Sequence, residues 1–584
     1  MSGRKGSRDM SHTSFQWLLT LLSLVMISGS ALSADEPSTV AGYTPDVALA
    51  HGEKMYREGI LPSGESMQAI IMGDIPVDGR MFTCDDCHQR SGLGSVEGTV
   101  ITWPTNGKEL YQPRRRTGAY RPPAENERKK GGRGTLPKYY QMEDVRPSYT
   151  DASLRRLLRS GVDSAGRRLD PIMPKYRLGK KDMKILVHYL KNLSVKLSPG
   201  VDDTTLYFAT VIGPEVSEDE KQAMLSVLQA HIDARNSQTR HQEKRAASGP
   251  FYKTEMHQAY RRLDLSVWQL QGPEETWRDQ LENYYKKQPV FALLGGISRG
   301  SWQPIHTFSE DHKVPCIFPI TDLPVISAND WYTLYFSKGY YQEGESAAKY
   351  VRSAKRDIKN NSVVQVFRRS REGIALAEGF RQTWEGMGGK TPVELVLDAD
   401  APVNGHLLHE QLELADVSVL LLWLGNEDQV IFRKIVEQAD HKALMFTSAT
   451  LLKNNFSDIT DDLRDVIHIT YPYILPDEKN MGNFVVNRWL QVRNIPPGDF
   501  TTQAKMYFLG WMLPGALKSM RSEFFREYFV EGFDMMTDQD YAIAVYPRLT
   551  FGSGQRYASK GCYIVKLGKG PKPPLLPVSD WVTY

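Results

Sequence analysis

The pentapeptide at residues 84–88, Cys-Asp-Asp-Cys-His, constrains the first third of the chain more than any other feature. A Cys-x-x-Cys pair serves as a thiol–disulfide site, as half of a zinc site or, when histidine follows, as an attachment site for a covalent haem. Asp85 and Asp86 disfavour a thiolate because their charge repels it. Only Cys316 and Cys562 remain of the four cysteines, too distant in sequence to suggest a second zinc-binding pair.

The N-terminal segment bears on the choice among these uses. Basic residues within 4–8 precede an apolar run at 17–27, and small residues at 28–33 end in a predicted cleavage site after Ser33. This order is typical of a secretory signal peptide, expected here over 1–33. An uncleaved anchor is the alternative, but the run is shorter than the roughly 20 apolar residues that span a bilayer. We therefore expect a periplasmic chain, in which Cys84, Cys87 and His88 hold one haem c.

A second axial ligand to the haem iron is expected downstream, in a loop before a closing helix. Met173 fits this place because Pro171 and Pro174 keep its backbone out of a helix, and residues 178–190 show helical apolar spacing. A thioether opposite an imidazole raises the potential of the iron. The alternative for Met173 is a gap-filling side chain in the core.

Residues 114–138 contain nine basic and two acidic side chains together with many glycines and prolines, a local net charge of +7. This composition predicts a loop without a core of its own. The loop is either a solvated insertion without a task or a surface that attracts an acidic redox partner.

The segment from 45 to 195 resembles a class I c-type cytochrome. The likeness is carried by residues 52–56 on a first helix, by residues 84–94 around the cysteine pair, and by residues 173–176 before the closing helix. It implies an all-α domain with one haem, thioether bonds to Cys84 and Cys87, His88 as the proximal ligand and Met173 as the distal ligand. The interval between His88 and Met173 is longer than in a minimal cytochrome.

Residues 196–203 read as a linker, and from 204 to 584 apolar strands alternate with helices. Such alternation predicts parallel sheets covered on both faces, and its length predicts two doubly wound lobes. Strands are expected at 205–212, 263–270, 290–297, 314–321, 362–367, 393–397, 417–424, 443–447 and 466–471, and helices from 217, at 274–287, 372–384, 406–415 and 428–438. The overall net charge of +3 does not favour nucleic acid as a partner, and no segment after the signal peptide is apolar enough to span a membrane.

This second part resembles type I periplasmic binding proteins, which include branched-chain amino-acid receptors. Residues 292–301, 314–321 and 340–344 carry the likeness, and residues 549–556 with 562–565 resemble the closing hairpin. The resemblance implies a bilobed α/β domain with a small solute, such as an amino acid, between the lobes. By position, Ser301, Thr321 and Tyr341 are the candidate ligand contacts; alternatively the cleft has become a docking scaffold. Cys316 and Cys562 form either a disulfide or two buried thiols.

These features together predict an exported multidomain protein that transfers one electron through its haem to or from a periplasmic redox partner, while the second domain docks that partner or recognises a small ligand. The alternative is a solute receptor or haem-based sensor whose haem reports redox state or gas. An electron-transfer protein is expected rather than an enzyme; a role as the cytochrome partner of a periplasmic dehydrogenase remains open. No hydrolase or kinase motif is present in the sequence.

Overall fold

The computed structural model describes residues 39–583 apart from 98–99, 116–144, 242–260, 355–362, 400–416, 439–442, 457–458, 479, 537–540, 542–543 and 571–572. The chain divides into two compact units between Val195 and Lys196. The predicted signal peptide, the helix predicted at 406–415 and most of the basic segment lie outside the described residues.

The first unit contains short helices and short strands. Its helices are α1 Pro45–Glu58, α2 Cys84–His88, α3 Gly107–Leu110, α4 Asp151–Ser160 and α5 Lys180–Asn192. Its strands are β1 Gln68–Ile71, β2 Ile75–Asp78, β3 Val96–Glu97, β4 Val100–Ile101, β5 Arg114–Arg115, β6 Val145–Arg146 and β7 Lys175–Tyr176. The prediction of an all-α first domain is therefore wrong in detail, because β2, β1 and β7 form an antiparallel three-stranded sheet.

Helices α1 and α5 form the core of the first unit, where α1 closely approaches α5 at Gly52. A Cβ atom on Gly52 would lie 2.3 Å from the Cβ of Tyr189, so only glycine permits this approach. Tyr56, one turn further along α1, packs its ring against Tyr189 at a centroid distance of 5.4 Å. The two terminal helices of the unit are thus held together by a backbone contact and a buried aromatic pair.

The second unit contains two sheets, and the first has five parallel strands in the order β12-β11-β10-β8-β9. These strands are β8 Thr205–Ile212, β9 Arg262–Gln269, β10 Ala292–Leu294, β11 Cys316–Ile317 and β12 Thr333–Leu334. In chain order this is a 2-1-3-4-5 sheet, with its topological switch point between β8 and β10. Ligands of open α/β sheets bind outside the carboxyl ends of strands at such a point.

The second sheet repeats this arrangement and then adds antiparallel strands, in the order β14-β13-β15-β16-β17-β18-β19 with β20 beside β18. Its strands are β13 Val363–Arg368, β14 Val393–Leu397, β15 Val419–Trp423, β16 Leu444–Ser448, β17 Ile467–Tyr471, β18 Gly561–Leu567, β19 Leu575–Pro577 and β20 Val582–Thr583. Strands β13 to β17 are parallel, and the switch point lies between β13 and β15. All five residues of β15 are buried, as expected for a parallel strand covered on both faces.

Helices cover both sheets. They are α6 Glu218–Thr239, α7 Trp277–Lys287, α8 Gln303–Asp311, α9 Tyr340–Ser353, α10 Arg371–Gly386, α11 Gln429–Gln438, α12 Asp461–Arg464, α13 Asn480–Val492, α14 Phe500–Met520 and α15 Arg526–Asp534. Single 3₁₀ turns occur at Glu274–Thr276, Asn426–Asp428 and Pro476–Glu478. The helix expected from 217 is α6, which begins with a capping box: the Ser217 hydroxyl accepts a hydrogen bond from the Glu220 amide, and the Glu220 carboxylate accepts one from the Ser217 amide. Among the described helices, none is long and apolar enough to cross a membrane.

Several predicted boundaries differ from the structure. The strand expected at 290–297 is limited to β10 because Gly295 and Gly296 turn the backbone to positive φ. The closing hairpin is formed by β18 and β19 and not by residues 549–556, of which Leu549 makes one isolated bridge to Tyr541.

The segment expected to be a linker, residues 196–203, is attached to the second unit. The buried Arg526 guanidinium donates hydrogen bonds to the carbonyl groups of Pro199, Val290 and His312, at 3.3, 2.6 and 3.0 Å. The amide of Arg526 in turn donates to the Ser198 hydroxyl at 3.0 Å. One arginine thus joins the start of the unit to the loops beside β10 and β11.

Candidate functional site

The Cys-x-x-Cys-His motif forms helix α2. Thr83 caps this helix: its hydroxyl accepts a hydrogen bond from the Asp86 amide, and the Asp86 carboxylate accepts one from the Thr83 amide. Neither cysteine is in a disulfide, and Cys84 is half-buried whereas Cys87 is exposed. Burial raises the pKa of the Cys84 thiol to about 12, so at neutral pH it is not the thiolate that disulfide exchange requires.

His88 is oriented by a backbone carbonyl. Its Nδ1 lies 2.8 Å from the carbonyl oxygen of Trp103, so Nδ1–H donates and Nε2 carries the lone pair. Burial lowers the pKa of His88, which favours the neutral imidazole that a metal needs. The carbonyl of His88 accepts from the Gly94 amide at 3.0 Å, which fixes the end of the helix.

Met173 lies in a tight turn. Its amide donates to the Asp170 carbonyl at 3.1 Å, and the Pro171 carbonyl accepts from the Met72 amide at 2.9 Å. Met173 and Cys84 are half-buried against the same hydrophobic cluster. Strand β7 follows at once and brings the Tyr176 hydroxyl to 3.5 Å from the Cys84 sulfur. The turn that carries Met173 is thus tied to helix α2 through β7.

This donor set fits haem c by its chemistry. Two thiols lie one helical turn apart, an imidazole presents Nε2, and a thioether borders the same apolar cluster. Among the residues that the structure describes, no group of three or more His, Cys, Asp or Glu side chains could hold a metal ion. Of the basic segment, Arg114 is described, and its guanidinium lies 4.8 Å from the centre of the Trp103 ring.

The three residues predicted to contact a solute each have an internal partner. The Ser301 hydroxyl accepts from the Gln303 amide at 3.1 Å, and the Thr321 hydroxyl accepts from the Leu323 amide at 3.1 Å. The Tyr341 hydroxyl donates to Gln382 at 2.7 Å, between helices α9 and α10. Within the described ranges, no hydrogen bond joins these three side chains to one another.

Two switch points of the second unit meet at an ion pair. The Ser301 amide, after β10, donates to Oε1 of Glu274 at 3.0 Å. The same carboxylate pairs with Arg371, which follows β13 in the other sheet. Arg299, beside Ser301, pairs with Glu220 and lies 3.9 Å from Asp322. The carboxyl edges of both sheets therefore face each other across charged side chains.

Glu343, in the first turn of α9, is a buried carboxyl group that the sequence analysis did not single out. Its Oε2 accepts from the Thr470 hydroxyl at 2.7 Å and from the Ala449 amide at 3.1 Å. Its Oε1 is buried without a partner among the described residues. Burial raises the pKa of Glu343 to about 7, and the charge of Asp322 adds to this increase.

Aromatic and cationic side chains lie next to this carboxyl group. The hydroxyls of Tyr473 and Thr450 are 3.3 Å apart, and the rings of Tyr473 and Tyr546 are 6.2 Å apart. The buried ammonium group of Lys505 lies 5.5 Å from the centre of the Tyr546 ring. Burial lowers the pKa of Lys505, but interactions with Tyr546 and Asp322 outweigh it and raise the pKa overall. No local sequence signal indicates this cluster, because its members come from five distant segments.

Cys316 and Cys562 are both buried and unpaired. Cys316 lies in β11 of the first sheet and Cys562 in β18 of the second sheet. Of the two alternatives left open by the sequence, the structure contains two separate thiols.

No protein-family model matches the chain, and no curated protein matches it. Among solved structures, it is similar to a leucine-binding protein from Thermotoga maritima, with 13% identity over 65% of this chain and 99% of that chain, at a TM-score of 0.43. It is also similar to a branched-chain amino acid ABC transporter from Thermus thermophilus with bound valine, with 13% identity over 66% and 97% of the chains and a TM-score of 0.43.

A type 1 periplasmic binding protein from Bordetella pertussis is similar at 12% identity, over 64% of this chain and 100% of that chain, with a TM-score of 0.43. These likenesses concern the fold alone. Because the TM-scores are below 0.5, the description of the second unit rests on its own strand order and register.

Proposed function

We propose that this chain is an exported receptor for a small solute, which binds between the two sheets of the second unit, and that its first unit carries a single haem c. The observation that carries this proposal is the meeting of two topological switch points at the Glu274–Arg371 ion pair. Carboxyl edges of parallel sheets are where open α/β folds bind ligands. The buried cluster around Lys505 and Glu343 adds polar groups of both signs beside aromatic rings.

Binding is tested on the whole chain with a panel of L-amino acids and small aromatic carboxylates. A solute that binds only the folded state raises the melting temperature with increasing concentration. We expect one panel member to do so in wild type, and Lys505→Met to abolish the shift because it removes the buried cation. Lys518→Met, at an exposed position of the same helix, is the matched control. Wild-type binding retained in Lys505→Met would place the solute elsewhere, and no shift with any panel member would count against the receptor.

One-electron transfer is a second candidate function, favoured by the His88–Trp103 hydrogen bond. A carbonyl acceptor at Nδ1 holds one tautomer and directs Nε2 to a metal. Haem c, when bound, supplies a one-electron redox centre. Within this proposal Cys84 and Cys87 would anchor the group, His88 and Met173 would bind its iron, and a periplasmic redox protein would be the partner.

Visible spectra of the exported protein test the haem site. Wild type is expected to show a covalent c-type spectrum with the far-red band of methionine-ligated ferric haem, because Met173 supplies the sulfur. Met173→Ala is expected to lose that band and to bind carbon monoxide, whereas Met72→Ala, an exposed methionine near the same turn, keeps it. Ready binding of carbon monoxide by wild type would favour a gas sensor. Absence of covalent haem would contradict the haem site and favour a thiol–disulfide role for the two cysteines.

A further inference from the structure

The anion position at the start of helix α8 is already filled by a side chain of this protein. Oε1 of Glu274 accepts a hydrogen bond from the Ser301 amide, two residues before the helix begins. A Cβ atom on Gly300 would lie 2.5 Å from this oxygen, so the absence of a side chain at 300 permits the approach. Amides at a helix N-terminus are suited to a carboxylate. Glu274 therefore takes the place that a carboxylate ligand would use.

The same carboxylate is held from the opposite sheet. Arg371 is the first residue of α10, directly after β13, and its Nη1 contacts Oε1 of Glu274. This hydrogen bond raises the pKa of Arg371. Glu274 is thus bound by an amide from one lobe and by a guanidinium from the other, which are the two kinds of donor that recognise a carboxylate.

We propose that Glu274 is a built-in competitor for carboxylate ligands at the Ser301–Arg371 position. A carboxylate solute displaces Glu274 and accepts its hydrogen bonds, and Glu274 turns to solvent. One carboxylate replaces another beside Arg371 in this exchange, so the solute gains only the difference between its own binding and that of the tethered Glu274 side chain. A neutral solute gains nothing from the removal of Glu274. The inference rests on the proposed function and identifies carboxylates as the ligand class.

The arrangement predicts a particular response to substitution. Glu274→Gln keeps the side-chain shape and an acceptor for the Ser301 amide but removes the charge that holds Arg371. Because the Arg371 side chain is more than half exposed, its ion pair with Glu274 is worth up to about fivefold in affinity. We expect Glu274→Gln to bind carboxylates tighter by that factor. Asp279→Asn, an equal charge change at an exposed position of α7, should leave affinity unchanged.

The test is calorimetric titration of the full chain with benzoate, phenylacetate and L-leucine, and with the neutral amides benzamide and phenylacetamide. Tighter binding of a carboxylate by Glu274→Gln, without a gain for the amides, supports the inference. The gain should disappear in Glu274→Gln/Arg371→Gln, because Arg371 is the group released to the ligand. Circular dichroism of each variant verifies its fold.

Two outcomes overturn the inference in different ways. If wild type binds a carboxylate and Glu274→Gln binds it equally or more weakly, Glu274 is not a competitor, although the receptor function stands. If no variant binds any of these probes, the competitor role and the proposed solute binding both fail.

Discussion

At the scale of single residues, Glu343 shows how burial changes a common side chain. Its carboxyl group is fully buried and hydrogen-bonded to Thr470 and Ala449, and burial raises its pKa to about 7. The nearby groups include Asp322, whose charge disfavours ionisation, and the buried Cys562 thiol. The folded protein therefore holds Glu343 protonated at pH values where the unfolded chain is ionised.

This residue predicts a pH-dependent stability difference. Because the folded pKa is higher than the unfolded value, stability falls as pH rises from the ordinary carboxyl range to about 7 and then levels off. Glu343→Gln lacks this loss. The difference in free energy of unfolding between Glu343→Gln and wild type should therefore increase by about 3 kcal/mol as the pH rises through that interval. Urea unfolding over the range from about pH 4.5 to pH 8 measures it. Glu378→Gln, an exposed change on α10, should show a flat difference; a flat difference for Glu343→Gln would refute the buried ionisation.

The sequence identified His88 and Met173 as candidate ligands, but it did not predict which groups surround them. The motif names the histidine, but it does not name the Trp103 carbonyl that orients the ring. Likewise, the proline frame marks Met173, while its position against the same cluster as Cys84 depends on β7. The sequence identifies chemically distinctive side chains because these are properties of residue types. It does not identify their partners, because those are ordinary backbone groups that any residue could supply.

At the scale of elements, α1 and α5 are amphipathic segments whose contact depends on one small residue. The helical spacing of α5 was predicted from the sequence, whereas α1 was expected only from the resemblance of residues 52–56. The close approach at Gly52 is a tertiary property, because it depends on Tyr189 lying directly opposite.

The close crossing of these helices predicts that adding a single methyl group at Gly52 lowers the stability of the first unit. Gly52→Ala adds a Cβ atom at 2.3 Å from Tyr189 Cβ, so the helices must separate. Overpacking of this kind costs about 1–3 kcal/mol. Thermal unfolding of the full chain should show a lower melting temperature for the first unit. Lys54→Ala, on the exposed side of α1, is the control, and equal melting of both variants would show that the crossing is not tightly packed.

The parallel strands were the most predictable elements. Strands at 205–212 and 393–397 have the predicted bounds, because a long apolar, β-branched run between turn residues leaves few alternatives. The shorter strands β10 and β11 were predicted too long. Their apolar flanks are buried but pair only at single positions, such as the bridges of Ile297 to Ile212 and to Ile320, a distinction that periodicity cannot make.

At the scale of the whole molecule, two compact units of different chemistry lie on one chain. If the first unit carries a redox centre and the second binds a solute, a sensor requires that solute binding change the free energy of reduction. Such coupling is reciprocal: a solute that shifts the potential of the haem must have an affinity that depends on the oxidation state.

Coupling predicts the result of a redox titration. For a haem-based sensor, a saturating solute from the panel should shift the midpoint potential of the haem, and its affinity should differ between oxidised and reduced protein by the corresponding factor. Titration with and without the solute, repeated in Lys505→Met, measures both. An unchanged potential with a bound solute would separate the functions and favour a simple electron carrier beside a receptor.

The sequence by itself predicted one feature of each unit. The first is a Cys-x-x-Cys-His motif that follows a signal-like segment, and the second is an alternation of strands and helices that predicts doubly wound sheets. Both are local, because a motif and a period are properties of neighbouring residues. Only the tertiary structure decided what meets at the carboxyl edges of those sheets. Glu274, Ser301 and Arg371 are separated by up to 97 positions, and they come together because the two sheets place their switch points face to face.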